Sequence, residues 1–83
     1  MLSVVIPAYN ESHRISATIR DVLDYLSRAD FAFELVVVDD GSTDDTAQLV
    51  TCNPHPALRL LQLPRNMGKG AAVKAGCLDS KGD

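Results

Sequence analysis

The chain has 83 residues, 46% of them hydrophobic and 23% charged, with a formal net charge of -3 at pH 7; this balance describes a folded globular segment and excludes a disordered or low-complexity tract. A negative balance without a basic stripe excludes a dedicated nucleic-acid binder, whose phosphate contacts need clustered lysine and arginine. No run of about 18 apolar residues and no basic start leading into an apolar stretch is present, so nothing reads as a membrane span or a secretory leader, and a cytoplasmic location is expected.

Leu2 to Ile6 is a short, β-branched run that Pro7, lacking an amide proton, is expected to close. Asn10 or Ser12 can cap the helix that follows, in which Ile15, Ile19, Val22, Leu23 and Leu26 share one face. Phe33 to Val38 is apolar except at Glu34, the pattern of a parallel strand covered on both sides. Gly41 permits a tight turn, Ser42 or Thr43 can cap a second helix, and Asp44 and Asp45 suit its positive end; that helix runs toward Val50 and Asn53-Pro54 ends it. Cys52 and Cys77 lie far apart without metal-ligand spacing, so neither zinc nor a disulfide framework is indicated and both are expected to be buried, reduced thiols. Leu58 to Leu63 predicts a third strand stopped by Pro64, and a last helix starts near Gly68 and passes Ala72, Val73 and Leu78 toward Ser80. Lys81-Gly82-Asp83 reads as a turn leading toward a fourth strand.

The β-α-β-α-β-α order predicts an α/β fold, a Rossmann-like parallel sheet with right-handed crossovers. One compact unit is the most the chain can hold. A domain of this size buries only about 60% or somewhat more of its unfolded surface, which is marginal for a three-layer α/β unit, so a part of a larger domain is expected.

Function should sit where adjacent parallel strands end, because open α/β sheets bind ligands in the crevice outside those ends. Three strand-end turns carry the polar residues. In the second turn, Asp39 and Asp40 follow one another along a strand and point to opposite faces, so they are not expected to chelate one metal together. One can cap a helix while the other packs at the sheet edge, or a carboxylate can accept a base imino proton or a ribose hydroxyl; Asp40 is the candidate base reader. In the first turn, Pro7-Ala8-Tyr9-Asn10-Glu11 combines a rigid bend, a ring that can stack on a base and a further acceptor. The alternative is a tyrosine packed over the sheet end with Glu11 as a first-turn charge. In the third, Arg65-Asn66-Met67-Gly68-Lys69-Gly70 brings glycines that let backbone approach a ligand, amides at a helix start that favour an anion, and the Lys69 charge. It has neither the Gly-x-x-x-x-Gly-Lys-Ser/Thr nor the Gly-x-Gly-x-x-Gly spacing, which disfavours both of those nucleotide-binding classes. His13 and His55 show no partner for metal or acid/base work and read as solvated surface residues.

The blocks Ser3 to Glu11, Val36 to Thr46 and Asn66 to Gly76 together resemble the N-terminal nucleotide-binding part of the family 2 glycosyltransferases. The third, with Asn66-Met67-Gly68-Lys69-Gly70-Ala71, is similar to dolichyl-phosphate and related polyprenyl-phosphate sugar transferases. The resemblance implies part of a nucleotide-diphospho-sugar transferase (GT-A) fold that takes UDP-glucose or a similar donor. It implies that Pro7, Ala8, Tyr9, Asn10, Glu11, Asp39, Asp40, Gly41, Asn66, Gly68 and Lys69 bind the nucleotide sugar. Pro7, Tyr9 and Glu11 would line base and ribose, Asp40 would contact the base with Asp39 in support, and Lys69 would lie toward base or diphosphate. The acceptor implied is a lipid phosphate, at the cytoplasmic face of a membrane. The divalent cation implied, Mg2+ or Mn2+, neutralises the leaving diphosphate and is expected on an Asp-x-Asp turn beyond Asp83; no catalytic residue is expected within the chain. Two other readings stand beside this one. A noncatalytic nucleotide-binding or regulatory module would use the same crevice, although a signalling receiver carries its acids after the first strand and not the second. The other is a segment that lacks a fourth strand and holds no stable fold.

Overall fold

The computed structural model describes residues 2–53 and 55–79. The elements are β1 (Leu2–Ala8), α1 (Ile15–Ser27), β2 (Phe33–Asp39), α2 (Thr46–Thr51), β3 (Leu58–Gln62) and α3 (Lys69–Asp79). The strands form one parallel sheet in the order β1-β2-β3. The predicted alternation of strands and helices is therefore the observed one; Pro54, Ser80 and the expected turn at 81–83 lie outside the described residues.

The central strand carries the core because its side chains alternate between two covered faces. Leu35 and Val37 pack with Ile15, Ile19 and Val50 from α1 and α2. Val36 and Val38 pack on the opposite face with Ala72 of α3. All four β2 residues are fully buried, each worth about 1.5–3 kcal/mol relative to exposure. Glu34, the polar exception, is buried too: its carboxylate accepts hydrogen bonds from Ser3 Oγ (2.6 Å) and Arg59 Nε (3.2 Å) on the flanking strands. A charge spanning all three strands is thus kept inside the sheet by partners that no local pattern announces.

The two helical layers meet the sheet differently. α1 uses large side chains at helical spacing, with Ile15, Ile19 and Leu26 buried and Val22 and Leu23 packed at the margin. α3 uses almost none. Its Val73 and Leu78 are exposed, while Ala72 and Gly76 face the sheet, and a Cβ on Gly76 would run into the side chains of Val5 and Val38.

Several local expectations are corrected. β1 continues through Pro7 to Ala8. Asp40 N donates to Ala8 O (2.8 Å); alternate residues of a strand face opposite edges, so the missing Pro7 amide lies on the side away from β2 and breaks no ladder bond. β3 ends at Gln62, one residue early, although Leu63 N still donates to Asp39 O (2.9 Å). Neither α1 nor α2 has a side-chain cap at its N-cap residue, Arg14 or Asp45; the side chains of Asn10, Ser42 and Thr43 are engaged between turns instead. Cys52 and Cys77, expected to be buried, are exposed. His55 is half-buried, with Nδ1 accepting from Ala57 N (3.0 Å) and its ring 6.1 Å from that of Phe33.

Candidate functional site

The strand ends place three turns along one rim, and polar side chains sew them together. Asn10 leaves β1 in the left-handed region, φ 51, a conformation that asparagine tolerates better than most residues. Its N–H donates to Ser42 Oγ (2.9 Å), and its Oδ1 accepts from Thr43 N (2.8 Å). The next two amides do likewise, Glu11 N to Thr46 Oγ1 (2.9 Å) and Ser12 N to Asp44 Oδ2 (3.2 Å). Asp44 also accepts from Thr46 N (3.0 Å) and from the Thr46 hydroxyl. These donors, the Thr46 hydroxyl foremost, favour its charged form and hold its pKa down at about 2.

The second turn is joined to the third by Asp40. Its Oδ1 accepts from Met67 N (2.8 Å) and its Oδ2 from Gly68 N (3.0 Å), a two-oxygen grip on consecutive amides. Gly68 N is shared with Asn66 Oδ1 (3.1 Å). Asp39 points elsewhere and closes its own turn by accepting from Ser42 N (3.0 Å). Both carboxylates are buried. Gly41 makes the fit possible, since it adopts φ 72 and any Cβ there would strike the backbone of Arg65 and Asn66.

Besides a larger hollow of about 430 Å³ between α2 and β3, lined by Asp39, Ser42, Asp44, Gln48 and Gln62, two smaller openings lie on the side of β1: the first is a cleft of about 220 Å³ lined by Pro7, Ala8, Tyr9, Glu11 and Lys69. The second, a hollow of about 230 Å³, lies beyond Glu11, lined on its far side by Arg14, Ile15 and Thr18. Each of these two falls below the roughly 300–1,000 Å³ of a whole ligand pocket, so each suits one ring or one charged group. Glu11 stands between them, its carboxylate held by Arg14 through Nε and Nη2, both at 2.8 Å.

Of the residues expected at the site, Pro7, Ala8, Tyr9, Glu11 and Lys69 share the cleft wall. Asn10, Asp39, Asp40, Gly41, Asn66 and Gly68 form the framework that holds the turns. The amides at the start of α3 were expected to await an anion, yet those of Met67 and Gly68 already meet one in Asp40. Sequence reasoning missed Arg14, although an acid and a base three apart is a visible signal. It also took Ser42 and Thr43 for helix caps and overlooked Thr46. Inter-turn latches use the same residue types as caps, and only the topology separates the two.

Among the described residues no group of three or more His, Cys, Asp or Glu side chains lies close enough to hold a metal ion. Asp39 and Asp40 turn to different amides, and the divalent cation that the resemblance implies is expected on a turn beyond Asp83, outside the described residues. No helix of the described residues is long and apolar enough to cross a membrane.

A dolichyl-phosphate beta-glucosyltransferase of Trichomonas vaginalis is 51% identical over 86 residues, covering 95% of this chain and 26% of the relative. The Dictyostelium discoideum dolichyl-phosphate beta-glucosyltransferase is 46% identical over 90 residues, covering 98% and 28%. The chain thus spans about a quarter of the length of the curated relatives it matches. Among solved structures, Staphylococcus aureus TarS 1-349 superposes with a TM-score of 0.76 at 35% identity, covering 98% of this chain and 24% of that one. The Pyrobaculum calidifontis mannosyltransferase PcManGT, in complex with GDP-Man and Mn2+, gives 0.71 at 30% identity, covering 96% and 24%. The sequence profile described as "Glycosyl transferase family 2" matches residues 3–83, and with it the fold, the ordered turns and the relatives converge: the chain belongs to the family 2 glycosyltransferases.

Proposed function

We propose that this chain forms the donor-nucleotide side of a glycosyltransferase that moves a sugar from a nucleoside diphosphate, UDP-glucose in the specific reading, to a polyprenyl or dolichyl phosphate. The observation that carries the proposal is the single cleft into which two different strand-end turns bring Tyr9, Glu11 and Lys69. Tyr9 is 43% exposed, so its ring is available to stack on a base without first being unpacked. Glu11, fixed by Arg14, presents acceptor oxygens suited to ribose hydroxyls. Lys69 supplies a positive charge at the start of α3, suited to the diphosphate. The choice of lipid phosphate as acceptor follows the names of the glucosyltransferase relatives, and the choice of a sugar nucleotide is supported by the GDP-Man complex of PcManGT. In this reading the reaction also uses Mg2+ or Mn2+, to which no residue of this chain is assigned, and takes place at the cytoplasmic face of a membrane.

Titration calorimetry with UDP, CDP and GDP tests the donor assignment. Saturable UDP binding is expected, tighter than that of the other two, and Tyr9→Ala should weaken it by roughly 5- to 150-fold, the range for loss of one base–aromatic stack. A chain that melts cooperatively yet binds none of the three would overturn the proposal.

A further inference from the structure

Glu11 lines both the cleft and the hollow beyond it, whereas Arg14 lines the hollow alone. Arg14 is the N-cap residue of α1 but makes no side-chain cap; its side chain turns back on Glu11, three positions earlier, instead. Nε donates to one carboxylate oxygen and Nη2 to the other, both at 2.8 Å. We infer that Arg14 is a positioning residue for the ribose: its guanidinium fork sets the plane of the Glu11 carboxylate, so that the preference for a ribonucleotide over a deoxyribonucleotide depends on a cation standing outside the nucleotide cleft.

Three features support this. The backbone of Glu11 is already pinned: its N–H donates to Thr46 Oγ1 (2.9 Å), and its carbonyl accepts from Arg14 N (2.9 Å) and Ile15 N (2.8 Å). Only the side chain is left to fix, and a planar fork on both oxygens fixes its plane as well as its distance, which a point charge does not. A carboxylate has about four lone-pair sites, so acceptor capacity remains for hydroxyl donors after the fork is satisfied. The third feature is Lys69, the other charged residue that lines the cleft. A carboxylate released by Arg14 would have this opposite charge to turn toward, yet among the described residues Glu11 pairs with Arg14. The pair is exposed on the arginine side, 65% against 31% for the glutamate, and pairs of that kind add little to stability; its worth lies in orientation.

This inference rests on the proposed donor site, and the experiment tells the failure of one from the failure of the other. UDP, 2′-deoxy-UDP and 3′-deoxy-UDP are titrated calorimetrically into the chain and into Arg14→Ala, Arg14→Lys, Glu11→Ala and the double alanine variant. The unaltered chain should bind UDP about tenfold or more tighter than at least one deoxy analogue, the worth of a hydrogen bond to a charged acceptor. In Arg14→Ala that ratio should shrink to within about twofold, the margin within which independent effects add, with the affinity for the analogue little changed. Arg14→Lys should restore part of the ratio, since an ammonium supplies the charge without the fork. The double variant should bind UDP no more weakly than Glu11→Ala, as required when one residue acts through the other. All three ligands meet the same variant, so a general loss of fold would weaken them alike and leave the ratio unchanged. An Arg14→Ala chain that keeps the full ratio, or additive losses in the double variant, would overturn the positioning role and leave the donor site standing. Equal binding of UDP and both analogues by the unaltered chain would do the same. A chain that melts cooperatively and binds none of the three would refute the donor site, and this inference with it.

Discussion

Two constraints coincide at Gly41. Its φ of 72 lies in the left-handed region, and the space a Cβ would need is taken by the backbone of Arg65 and Asn66. A flexible side chain could yield, but a neighbouring backbone cannot without moving the turn that carries Met67 and Gly68. Gly41→Ala should therefore lower unfolding free energy by about 1–3 kcal/mol or more, from positive-φ strain and steric displacement together; a urea midpoint equal to that of the parent chain would contradict this. Asp44 makes a different kind of prediction. Its folded pKa, about 2, lies below its ordinary 3.8 chiefly because of the Thr46 hydroxyl. A depressed carboxylate pKa contributes stability that is fully present above the unfolded value and is lost as pH falls through the folded one. The chain should lose stability between about pH 4 and 2 partly through this residue, and Asp44→Asn should flatten that part of the acid limb in chemical denaturation measured at a series of pH values.

At the level of elements, the helix that covers the second face of the sheet shows what a sequence can and cannot disclose. Large apolar residues at regular spacing announced α1 and β2, because burial of their side chains is what selects those conformations. α3 announces itself through small residues whose role is to be absent, so its inner face could not be told from its outer one, and the exposed Val73 and Leu78 misdirect the eye. The site divides in the same way. Tyr9, Glu11 and Lys69 could be picked out by chemical type, whereas the latch from Asn10 to Ser42 and the grip of Asp40 on Met67 and Gly68 span 32, 27 and 28 positions and depend on strand order. Two glycines of α3 turn this into a measurement. At Gly76 a Cβ meets Val5 and Val38, both stiff β-branched side chains, and an overpacking cost of about 1–3 kcal/mol outweighs the roughly 1 kcal/mol gained in helix propensity. At Gly70 a Cβ meets nothing within 4 Å, so only the propensity gain, a few tenths to about 1 kcal/mol, is left. Gly76→Ala should lower the melting temperature and Gly70→Ala should hold or raise it; shifts of the same sign would mean that α3 does not lie so close to the sheet.

For the molecule as a whole, the consequence of a composite site is that ligand and fold stabilise each other. The cleft wall comes from the end of β1 and the start of α3, which lie 60 positions apart between Tyr9 and Lys69 and come together only when the sheet has formed. On the proposed function, a nucleoside diphosphate that needs both walls would bind the folded chain and not the unfolded one. Its binding then adds RT ln(1 + [L]/Kd) to stability, about 2.7 kcal/mol at a hundredfold excess over Kd. For a domain of this size that corresponds to a rise in melting temperature of roughly 10–20 °C, large enough to read by differential scanning fluorimetry. Tyr9 gives the control, because its exposed ring contributes little to packing: Tyr9→Ala should leave the ligand-free melting temperature within the narrow range typical of surface changes while removing most of the UDP-induced rise. A variant that melts lower without ligand, yet keeps the full UDP-induced rise, would place the tyrosine in the fold and not in the site, and would move the base out of the cleft between Tyr9 and Lys69.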